Sequence, residues 1–419
     1  MKQSATTNYD VIVVGGGASG MMAAGRAAEL GARVLLLEKN AHLGEKLKIT
    51  GGGRCNITNA QDDEHLLLRH YGHAERHLYA AFSQFSMRDT FTFFESRGLP
   101  IVVQANLRAF PKSERAVDVC EVMEQYLAKG KVEIRRGAKV TQILGDNGMI
   151  SGVEVKGEIL TANSYIVATG GVSHPETGST GDGFKWLQSL GHTVHEPLPS
   201  IVPLAASNKW IKQLAGVTLN DIKISFYLDG KRQFALKGNI LCTHFGLSGP
   251  LILNSATRVA DILQAGTVTA QIDLYPTLDL GAMDAHLVEF FDSQKNKVFK
   301  NVIRGLVPAG SSAVLLPLTK INPETKVHSV TKLERKTLAQ LLKALPVNIT
   351  GLMGHDRAVI TDGGVALSEV DTKSMRSRVY TNLYLTGDML HISRPSGGYS
   401  LQLCWTTGYV AGTHAVPGR

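Results

Sequence analysis

The sequence predicts an α/β protein in which a Rossmann-type nucleotide-binding domain is interrupted by a β-barrel-like insert and a small helical insert. Three observations support this fold class. The chain opens on a strand, a glycine-rich turn and a helix, and strands followed by glycines return near its end. After about residue 196 the pattern changes to short alternating segments, with Asp229 and Gly230 as a hairpin turn. From about residue 278, apolar residues recur at helical spacing.

Length and composition fit a soluble cofactor enzyme. With 419 residues the chain is long enough for two or three packed units, and its 43% hydrophobic and 19% charged residues are typical of a globular protein. No apolar run reaches the roughly 18 residues that a membrane helix needs. The N-terminus passes into a strand pattern without a signal-peptide core, so we expect a cytoplasmic protein with no membrane partner.

The four cysteines indicate neither a metal centre nor a disulfide framework. Cys55, Cys120, Cys242 and Cys404 lie far apart, and no C-x-x-C pair is present. We expect free thiols and no metal site.

The stretch "YDVIVVGGGASGMMAAGRAAELGARVLLLEKN" carries a dinucleotide-binding fingerprint. It predicts a strand from Tyr9 to Val14, a helix to about Leu30 and a second strand that ends at Glu38. In G-x-G-x-x-G the first glycine permits the turn, the second lets the backbone approach a pyrophosphate, and the third allows close helix packing. A carboxylate at the end of the second strand accepts hydrogen bonds from a ribose diol and disfavours a 2′-phosphate. The predicted cofactor contacts in this stretch are Gly15, Gly17, Ala18, Ser19, Gly20, Glu38 and Lys39.

Two later strands end in motifs that resemble those of two-dinucleotide-binding-domain flavoproteins. They are "SYIVATGG" and "NLYLTGDML". In such flavoproteins the first motif passes near the nucleotide, the aspartate of the second binds the ribityl chain, and a backbone group at the position of Val140 holds the adenine. The resemblance implies FAD as the cofactor, bound at Ala168, Thr169, Gly170, Gly387 and Asp388. The alternative for each motif alone is a buried strand with a turn.

The C-terminal "SRPSGGYSLQLCWTTGYVAG" predicts a second helix whose positive end points at a ligand. Such an end stabilises the negative charge that develops at N1 and the adjacent carbonyl of reduced flavin. The residues concerned are Gly397, Gly398, Tyr399, Ser400 and Leu401; the alternative is a capped core helix. Only one full glycine fingerprint is present, so NAD(P)H is expected to bind transiently as the reductant.

The loop "GEKLKITGGGRCNITNA" is interpreted as flavin-wrapping backbone with Lys46, Thr50, Gly51, Gly53, Arg54, Cys55 and Asn56 as contacts. Small residues let the chain lie against the cofactor, while Arg54 and Asn56 supply donors. Disulfide reductases carry C-x-x-x-x-C at this place, but Cys55 would need a partner where Ala60 stands. The alternatives are an ion pair for Arg54 and a small buried side chain for Cys55.

Five motifs together resemble the BaiN/RdsA family of bacterial FAD-dependent oxidoreductases, also described as aminoacetone oxidase-like flavoproteins. They are "GGGRCNITN" (51–59), "TGSTGDG" (177–183), "PSIVPL" (199–204), "THFGLSGP" (243–250) and "GGYSLQ" (397–402). The resemblance implies a Rossmann-type FAD-binding domain over 1–195 and 352–419, a β-barrel-like insert over 196–277 and 345–351, and a basic helical insert over 278–344. Many relatives carry G-E-V-L-D and D-x-x-G before the final Gly-Gly-Tyr, whereas this chain has "GDMLH" and "SRP".

Candidate catalytic groups for the proton that accompanies hydride transfer are His244, Cys55 and Tyr399. His244 lies between a barrel strand and the "FGLSGP" turn, and Tyr399 lies next to the flavin glycines. His174 and His391 lie in predicted flavin-side loops and are weaker candidates. A structural histidine is the alternative for His244.

Three substrate classes remain open. Some members of the family reduce a uridine of large-subunit ribosomal RNA to dihydrouridine, which suits the segment from Asp292 to Lys343, where ten basic and three acidic residues give a net charge of +7. The basic insert from Lys295 to Lys343 is then a ribosomal RNA contact, or else a solvated helical face. The second class is a small-molecule amine oxidase or steroid-type enoate reductase, which needs no basic insert. The third is an RNA modifier that transfers a carbon unit, or a scaffold without turnover.

Overall fold

The computed structural model describes residues 9–354 and 360–418, and the chain folds as two compact units. The first unit comprises the chain up to Pro199 and the segment from residue 360 onward, and the second begins at Ser200. The predicted α/β class, a Rossmann-type domain interrupted by a barrel and helices, is confirmed.

The helices and strands follow one another in chain order. The first unit begins with β1 (Tyr9–Val14), α1 (Ala18–Glu29), β2 (Val34–Leu37), α2 (Glu45–Ile49), β3 (Thr58–Asn59), α3 (Glu64–Arg69), α4 (Glu75–Phe82), α5 (Met87–Glu95), β4 (Ile101–Gln104), β5 (Arg108–Pro111), α6 (Ala116–Lys129), β6 (Glu133–Arg135), β7 (Val140–Asp146), β8 (Met149–Val155), β9 (Glu158–Leu160), β10 (Ala162–Val167), α7 (Asp182–Ser189) and β11 (Val194–Ser200). The second unit contains β12 (Leu204–Ala206), α8 (Lys209–Gln213), β13 (Thr218–Leu228), β14 (Lys231–Cys242), β15 (Gly246–Ser248), α9 (Pro250–Ala265), β16 (Val268–Asp273), α10 (Leu280–Ser293), α11 (Phe299–Val302), α12 (Ser312–Leu315), α13 (Lys332–Lys343) and β17 (Leu345–Leu352). The chain then returns to the first unit with β18 (Ile360–Val365), β19 (Val370–Asp371), β20 (Arg376–Ser377), β21 (Leu383–Leu385) and α14 (Tyr399–His414).

The first unit is built on a sheet whose strand order, within the described residues, is β19-β20-β21-β10-β1-β2-β6. The strands from β21 to β6 run parallel. β1 from Val11 to Val14 and β10 from Tyr165 to Val167 are apolar and buried, as parallel strands covered on both faces are. Because parallel strands present their carboxyl ends at one edge, the segments that follow β1, β10 and β21 meet there.

Helix α14 packs on α1 through glycines that let the two backbones touch. A Cβ atom at Gly408 would lie 2.4 Å from the carbonyl oxygen of Ser19, and one at Gly412 would lie 2.4 Å from that of Ala23. This close packing brings the C-terminal helix beside the fingerprint helix.

The second unit contains a closed barrel, which among the described residues has the strand order β12-β15-β14-β13-β16-β17. The predicted turn at Asp229 and Gly230 joins β13 and β14, and both residues have positive φ, as a two-residue hairpin turn of type I′ requires. The barrel and the helices share one hydrophobic core, in which Phe226 of β13 and Leu338 of α13 are fully buried.

Candidate dinucleotide-binding site

The fingerprint glycines lie in the turn after β1 and in the first turn of α1. Gly15 has φ +108°, and a Cβ there would lie 2.5 Å from the carbonyl oxygen of Ala168. A Cβ at Gly20 would lie 1.8 Å from the carbonyl oxygen of Gly15, so only glycine allows this helix to start so close to the turn. A Cβ at Gly17 would meet nothing within 4 Å. Gly17 therefore borders open space at the edge of the sheet.

The N-terminus of α1 is available to an anion. Gly17 is its N-cap residue, no side chain caps the helix, and the first turn contains no acidic residue. The N–H groups that begin with Ala18 and Ser19 therefore have no side-chain partner, and the helix dipole adds positive potential. A pyrophosphate is the ligand that such a terminus suits in a strand–turn–helix fingerprint.

Glu38 lies directly after β2 with its carboxylate held in place. One oxygen accepts a hydrogen bond from the Gly16 N–H at 2.7 Å, and the other accepts one from the Asn40 N–H at 2.8 Å. The Ala138 N–H donates to the backbone carbonyl of Glu38, two residues before β7 begins at Val140. The adenine contact of Val140 stays a prediction.

The "TGSTGDG" stretch closes over this end of the sheet. The Lys39 ammonium contacts the Thr180 hydroxyl at 2.7 Å and the Asp182 carboxylate at 3.1 Å, and the Asn40 side chain donates to the Thr177 carbonyl. Lys39 is therefore already engaged by protein groups. The roles of Thr180 and Asp182 were not predicted, although the motif itself was a signal.

The loop from Thr50 to Cys55 turns through left-handed backbone. Gly51, Gly52 and Gly53 all have positive φ, and Cβ atoms at the last two would meet nothing within 4 Å. The Thr50 hydroxyl donates to the Leu47 carbonyl, which fixes the start of the turn. The Arg54 guanidinium lies 4.4 Å from the centre of the Phe110 ring and 3.4 Å from the Glu114 carboxylate. Arg54 therefore forms an ion pair, which was the alternative to a cofactor contact.

Cys55 is completely buried and has φ +60°. Burial raises the pKa of its thiol to about 12. A thiol with this pKa is neutral at physiological pH and is a poor nucleophile. These properties match the alternative of a small buried side chain.

Asn56 ties this loop to the C-terminal glycines. In the amide orientation that satisfies both ends, its nitrogen donates to the carbonyls of Ala109 and Thr58, and its oxygen accepts from the Gly398 N–H at 2.9 Å. Its hydrogens are thus engaged by backbone carbonyls, so Asn56 positions Gly398. Asn59 also reaches this segment by donating to the Gly397 carbonyl at 3.0 Å, and its own side-chain oxygen is buried without a partner among the described residues.

The N-terminus of α14 is the second open helix end. Gly398 is its N-cap residue with φ +104° and without a side-chain cap. A Cβ there would lie 2.2 Å from the carbonyl carbon of Thr58, so glycine is needed for the close approach. The Tyr399 ring packs against the His70 ring, with the ring centres 4.5 Å apart and the ring planes inclined by 40°. The N–H groups of Tyr399, Ser400 and Leu401 open the helix, as predicted.

The motifs after β10 and β21 lie next to the fingerprint. The Ala168 N–H donates to the Val14 carbonyl, and a Cβ at Gly387 would lie 2.9 Å from the Ser19 hydroxyl. The Thr169 hydroxyl lies 3.0 Å from the sulfur of Met389. The structure therefore brings Ala168, Thr169, Gly170, Gly387 and Asp388 to the edge that carries Gly17.

A charged cluster lies behind these motifs. The buried guanidinium of Arg394 pairs with Asp388, and the Lys46 ammonium donates to the Ser173 hydroxyl at 3.0 Å. Burial lowers the pKa of Lys46. Arg394 was not predicted as a site residue; the only sequence signal was that "SRP" stands where relatives carry D-x-x-G.

The predicted catalytic candidates divide between the units. Cys55 and Tyr399 belong to the first unit, whereas His244 is exposed in the turn between β14 and β15 of the second. His174 contacts the Glu176 carboxylate at 2.8 Å, and His391 faces His195 with ring centres 4.2 Å apart.

Within residues 9–354 and 360–418 no cluster suited to a metal ion is found, and no helix there could cross a membrane.

The residues of the first unit fit FAD. The space at Gly17 accommodates a backbone-bound pyrophosphate, the Glu38 carboxylate is fixed at the ribose position, and the uncapped start of α14 offers N–H groups to an electron-rich group. A dinucleotide with negative charge at its centre and at one end would match these three features.

The basic segment of the second unit is partly neutralised. Lys300 pairs with Glu324, Arg335 with Asp284, and Lys343 with Asp273. Two of these carboxylates lie outside the segment in sequence, so the count of +7 overstates the local excess. The remaining basic residues are exposed and form no ion pair with another described residue; they are Lys295, Lys297, Arg304, Lys320, Lys326, Lys332 and Lys336.

Three of these residues lie together. Residues 295–298 run beside 326–328, because Val298 forms an antiparallel bridge with Lys326 and the Val327 N–H donates to the Lys297 carbonyl. His328 contacts the Lys295 carbonyl at 2.7 Å. We call Lys295, Lys297 and Lys326 the lysine patch.

Comparison with known proteins gives consistent matches over the whole chain. The family described as HI0933-like protein Rossmann domain matches residues 9–414. The sequence is 29% identical to 3-dehydro-bile acid delta(4,6)-reductase of Clostridium scindens over 408 residues, 96% of this chain and 98% of the relative. It is 25% identical to ribosomal RNA dihydrouridine synthase of Escherichia coli K12 over 411 residues, 98% and 99% of the two chains. The fold is similar to that of 3-ketosteroid delta1-dehydrogenase from Sterolibacterium denitrificans, with a TM-score of 0.55 at 15% identity, covering 99% of this chain and 100% of that one.

Proposed function

This chain belongs to the HI0933-like protein Rossmann domain family, whose members include flavin-dependent oxidoreductases, and on that premise we propose that it reduces a carbon–carbon double bond conjugated to a carbonyl group. The family resemblance predicted from the motifs is confirmed, and the chain is a flavin-dependent oxidoreductase. The structural observation that carries the flavin part of the proposal is the uncapped N-terminus of α1 at Gly17, which borders open space at the edge where three motifs meet; the double bond is inferred from the names of the relatives.

Different residues of the first unit would hold and orient different parts of the cofactor. FAD, once reduced, would supply a hydride from its ring. The first turn of α1 would bind the pyrophosphate, Glu38 would orient the ribose, and the start of α14 would stabilise negative charge at the far end. The loop from Gly51 to Asn59 is anchored to α14 through Asn56 and Asn59, so it excludes water from the same region.

The relatives support a double bond as the substrate. The name delta(4,6)-reductase denotes reduction of carbon–carbon double bonds, and dihydrouridine is uridine with the double bond of its base reduced. In uracil that bond is conjugated to a carbonyl, as it is in an enone. One reaction type therefore accounts for both names.

Our first candidate substrate is a uridine in large-subunit ribosomal RNA. The lysine patch and its exposed basic neighbours support it, because exposed cations without protein partners bind phosphates and release counterions. The base would be unstacked to reach the flavin. RNA binding through the basic insert from Lys295 to Lys343 is part of this proposal.

The second candidate is a small-molecule oxidoreductase, such as an enoate reductase for steroid-like compounds or an amine oxidase. The 29% identity to the bile acid reductase over 96% of the chain favours the former. NAD(P)H is proposed as the transient reductant for reduction of either a uridine or an enoate, because the sequence contains only one glycine fingerprint; in an amine oxidase the amine itself would reduce the flavin.

An anaerobic stopped-flow experiment separates the candidates. The FAD-loaded protein is reduced with NADPH or NADH, and reoxidation of the flavin is followed after mixing with unmodified large-subunit rRNA or with a 3-keto-4-ene steroid. Fast reoxidation by rRNA alone supports the first candidate, and by the steroid alone the second. Failure of both nicotinamides to reduce the flavin would overturn the proposed reductant, and failure of both acceptors with dithionite-reduced enzyme would overturn the reaction type.

A further inference from the structure

Arg394 is fixed against the first turn of α14. Its side chain is fully buried, its Nε donates to the Ser400 hydroxyl at 3.0 Å, and one terminal nitrogen donates to the Ile392 carbonyl at 2.7 Å. The other terminal nitrogen pairs with the Asp388 carboxylate. The guanidinium therefore cannot swing away from the helix end, and its charge adds to the positive potential there.

Lys46 is a second cation in the same cluster. Its ammonium donates to the Ser173 hydroxyl and interacts electrostatically with both Asp388 and Arg394. Burial lowers the pKa of Lys46, the charge of Arg394 lowers it further, and Asp388 opposes the change. The nearby Glu176 carboxylate is mostly exposed and already contacts His174, so solvent screens its charge.

Within the described residues, the cluster contains two basic side chains, Arg394 and Lys46, and one buried carboxylate, that of Asp388, with which Arg394 pairs. Burial raises the pKa of the neighbouring Cys404 thiol to about 12, so this thiol is neutral. Because burial disfavours the charged form of Lys46, an anion bound beside the cluster would stabilise its ammonium form. The positive end of the α14 dipole at Gly398 also favours an anion at this place.

We propose that Arg394 and Lys46, with Asp388 between them, form an anion site that holds the negative charge of the reduced flavin at N1 and its neighbouring carbonyl. This inference rests on the flavin that the proposed function requires, but on neither of its candidate substrates. The same two cations could instead serve the pyrophosphate, and the experiment separates these two sources of negative charge.

Sulfite is a suitable probe because it needs no enzyme turnover. The lone pair of its sulfur forms a bond to flavin N5, and an electron pair of the ring moves to N1 and the adjacent carbonyl. The ring of the adduct carries the negative charge of reduced flavin at N1 and the adjacent carbonyl, the sulfonate on N5 carries a second negative charge, and no other reactant is needed. Titration of the FAD-saturated protein with sulfite, followed by loss of the flavin absorbance, gives a dissociation constant for this anionic state.

The variants are expected to change the sulfite dissociation constant in opposite directions. Arg394→Gln and Lys46→Met each remove a positive charge and should raise the sulfite dissociation constant about tenfold. Asp388→Asn removes the negative charge and should lower it about tenfold, and Arg394→Lys should keep most of the wild-type affinity. The matched control is Arg88→Gln, an exposed arginine that lies 3.6 Å from Asp62 and should leave the constant unchanged.

The outcomes are distinct. If the ion pair only stabilises the fold, Asp388→Asn will weaken sulfite binding as Arg394→Gln does, and the proposal is overturned. If the cations serve the pyrophosphate, the FAD dissociation constant will rise in Arg394→Gln while the sulfite constant at saturating FAD stays the same, which also overturns it. A wild-type flavin that forms no adduct contradicts it directly. Because no substrate is used, failure of the rRNA or steroid assays leaves this test unaffected.

Discussion

The Thr58 hydroxyl donates a hydrogen bond of 2.6 Å to the side-chain oxygen of Gln402, although the two residues are 344 positions apart in sequence. The same oxygen accepts from the Thr90 hydroxyl at 3.0 Å, and the Gln402 nitrogen contacts the Thr406 hydroxyl. Gln402 is fully buried. It therefore joins the loop that approaches the cofactor to the helix whose N-terminus faces it.

Replacing Gln402 by leucine should loosen this connection. Two buried hydroxyls lose their acceptor, so the free energy of unfolding is expected to fall by about 2 kcal/mol, and FAD should bind more weakly because the loop is no longer held to α14. Urea denaturation with tryptophan fluorescence and FAD titration measure the two effects. The control is Gln188→Leu, since Gln188 is exposed on α7; equal losses in both variants would contradict the assigned role.

Two glycines of the fingerprint should respond differently to alanine. A Cβ at Gly17 meets no atom within 4 Å, so Gly17→Ala is expected to keep the melting temperature of the FAD-free protein while raising the FAD dissociation constant at least tenfold, because the methyl group enters the pyrophosphate space. Gly20→Ala should destabilise the protein even without FAD, since its Cβ would lie 1.8 Å from the Gly15 carbonyl oxygen. Differential scanning fluorimetry with and without FAD checks both. Undiminished FAD affinity in Gly17→Ala would contradict the site.

The thiol of Cys55 should be inert. With a pKa of about 12, on the order of one thiol in ten thousand is ionised at pH 8, and the side chain is also buried. We expect no reaction of Cys55 with Ellman's reagent in the folded protein and full reaction in urea. Cys55→Ala should still bind FAD and accept electrons from NAD(P)H, whereas loss of turnover with FAD bound would restore Cys55 as a catalytic candidate.

Stability of the first unit should fall below about pH 6.5. Burial lowers the pKa of His70, His192, His391 and His414 from 6.5. The folded protein then binds fewer protons than the unfolded chain just below pH 6.5, so stability rises with pH through this range and is lost as the pH falls. Nearby carboxylates such as Glu369 have lowered pKa values and add their losses only at more acidic pH.

Melting temperatures between pH 7.5 and 5.5 test this directly. His192 is the most informative residue, because its ring is buried between Glu369 at 3.0 Å and Ser377 at 3.1 Å. His192→Asn should flatten the pH dependence, and replacement of the exposed His77 should not. A melting temperature that rises on acidification would refute the assignment.

Loss of the lysine patch should weaken RNA binding and leave FAD binding unchanged. Replacing Lys295, Lys297 and Lys326 together by glutamine removes three exposed cations, so rRNA affinity should fall and the slope of log affinity against log salt should decrease by about two. FAD affinity should stay the same. A control with the same change of charge is the replacement of Lys112, Lys131 and Lys156, which are exposed in the first unit. Equal losses from both triple variants would show nonspecific attraction only.

Local signals in the sequence were sufficient for much of this description. The spacing of Gly15, Gly17 and Gly20 dictates a turn and a helix start, and the position of Glu38 follows from the length of the second strand. The hairpin at Asp229 and Gly230 was also predictable, because few residues adopt two successive positive φ angles. In each case the information lies within a few residues of the feature.

Contacts between distant segments were not predictable in this way. Nothing in the spacing of Arg394 indicates that it pairs with Asp388 behind α14, or that Lys39 meets Asp182. Charge counted along the chain was misleading for the same reason, because Lys343 and Arg335 find carboxylates outside the basic segment. The burial of Cys55 indicates a structural role for its side chain. The identity of the residue alone is compatible with both a reactive and a structural role.

The most direct test of the proposed function is nucleoside mass spectrometry of large-subunit ribosomal RNA from the source organism with and without this gene, scoring dihydrouridine. We predict that dihydrouridine is lost without the gene and restored by the intact gene, and that a Gly17→Ala variant with weakened FAD binding restores less of it. Unchanged dihydrouridine in the deletion strain would contradict the RNA assignment and leave the small-molecule double bond as the substrate.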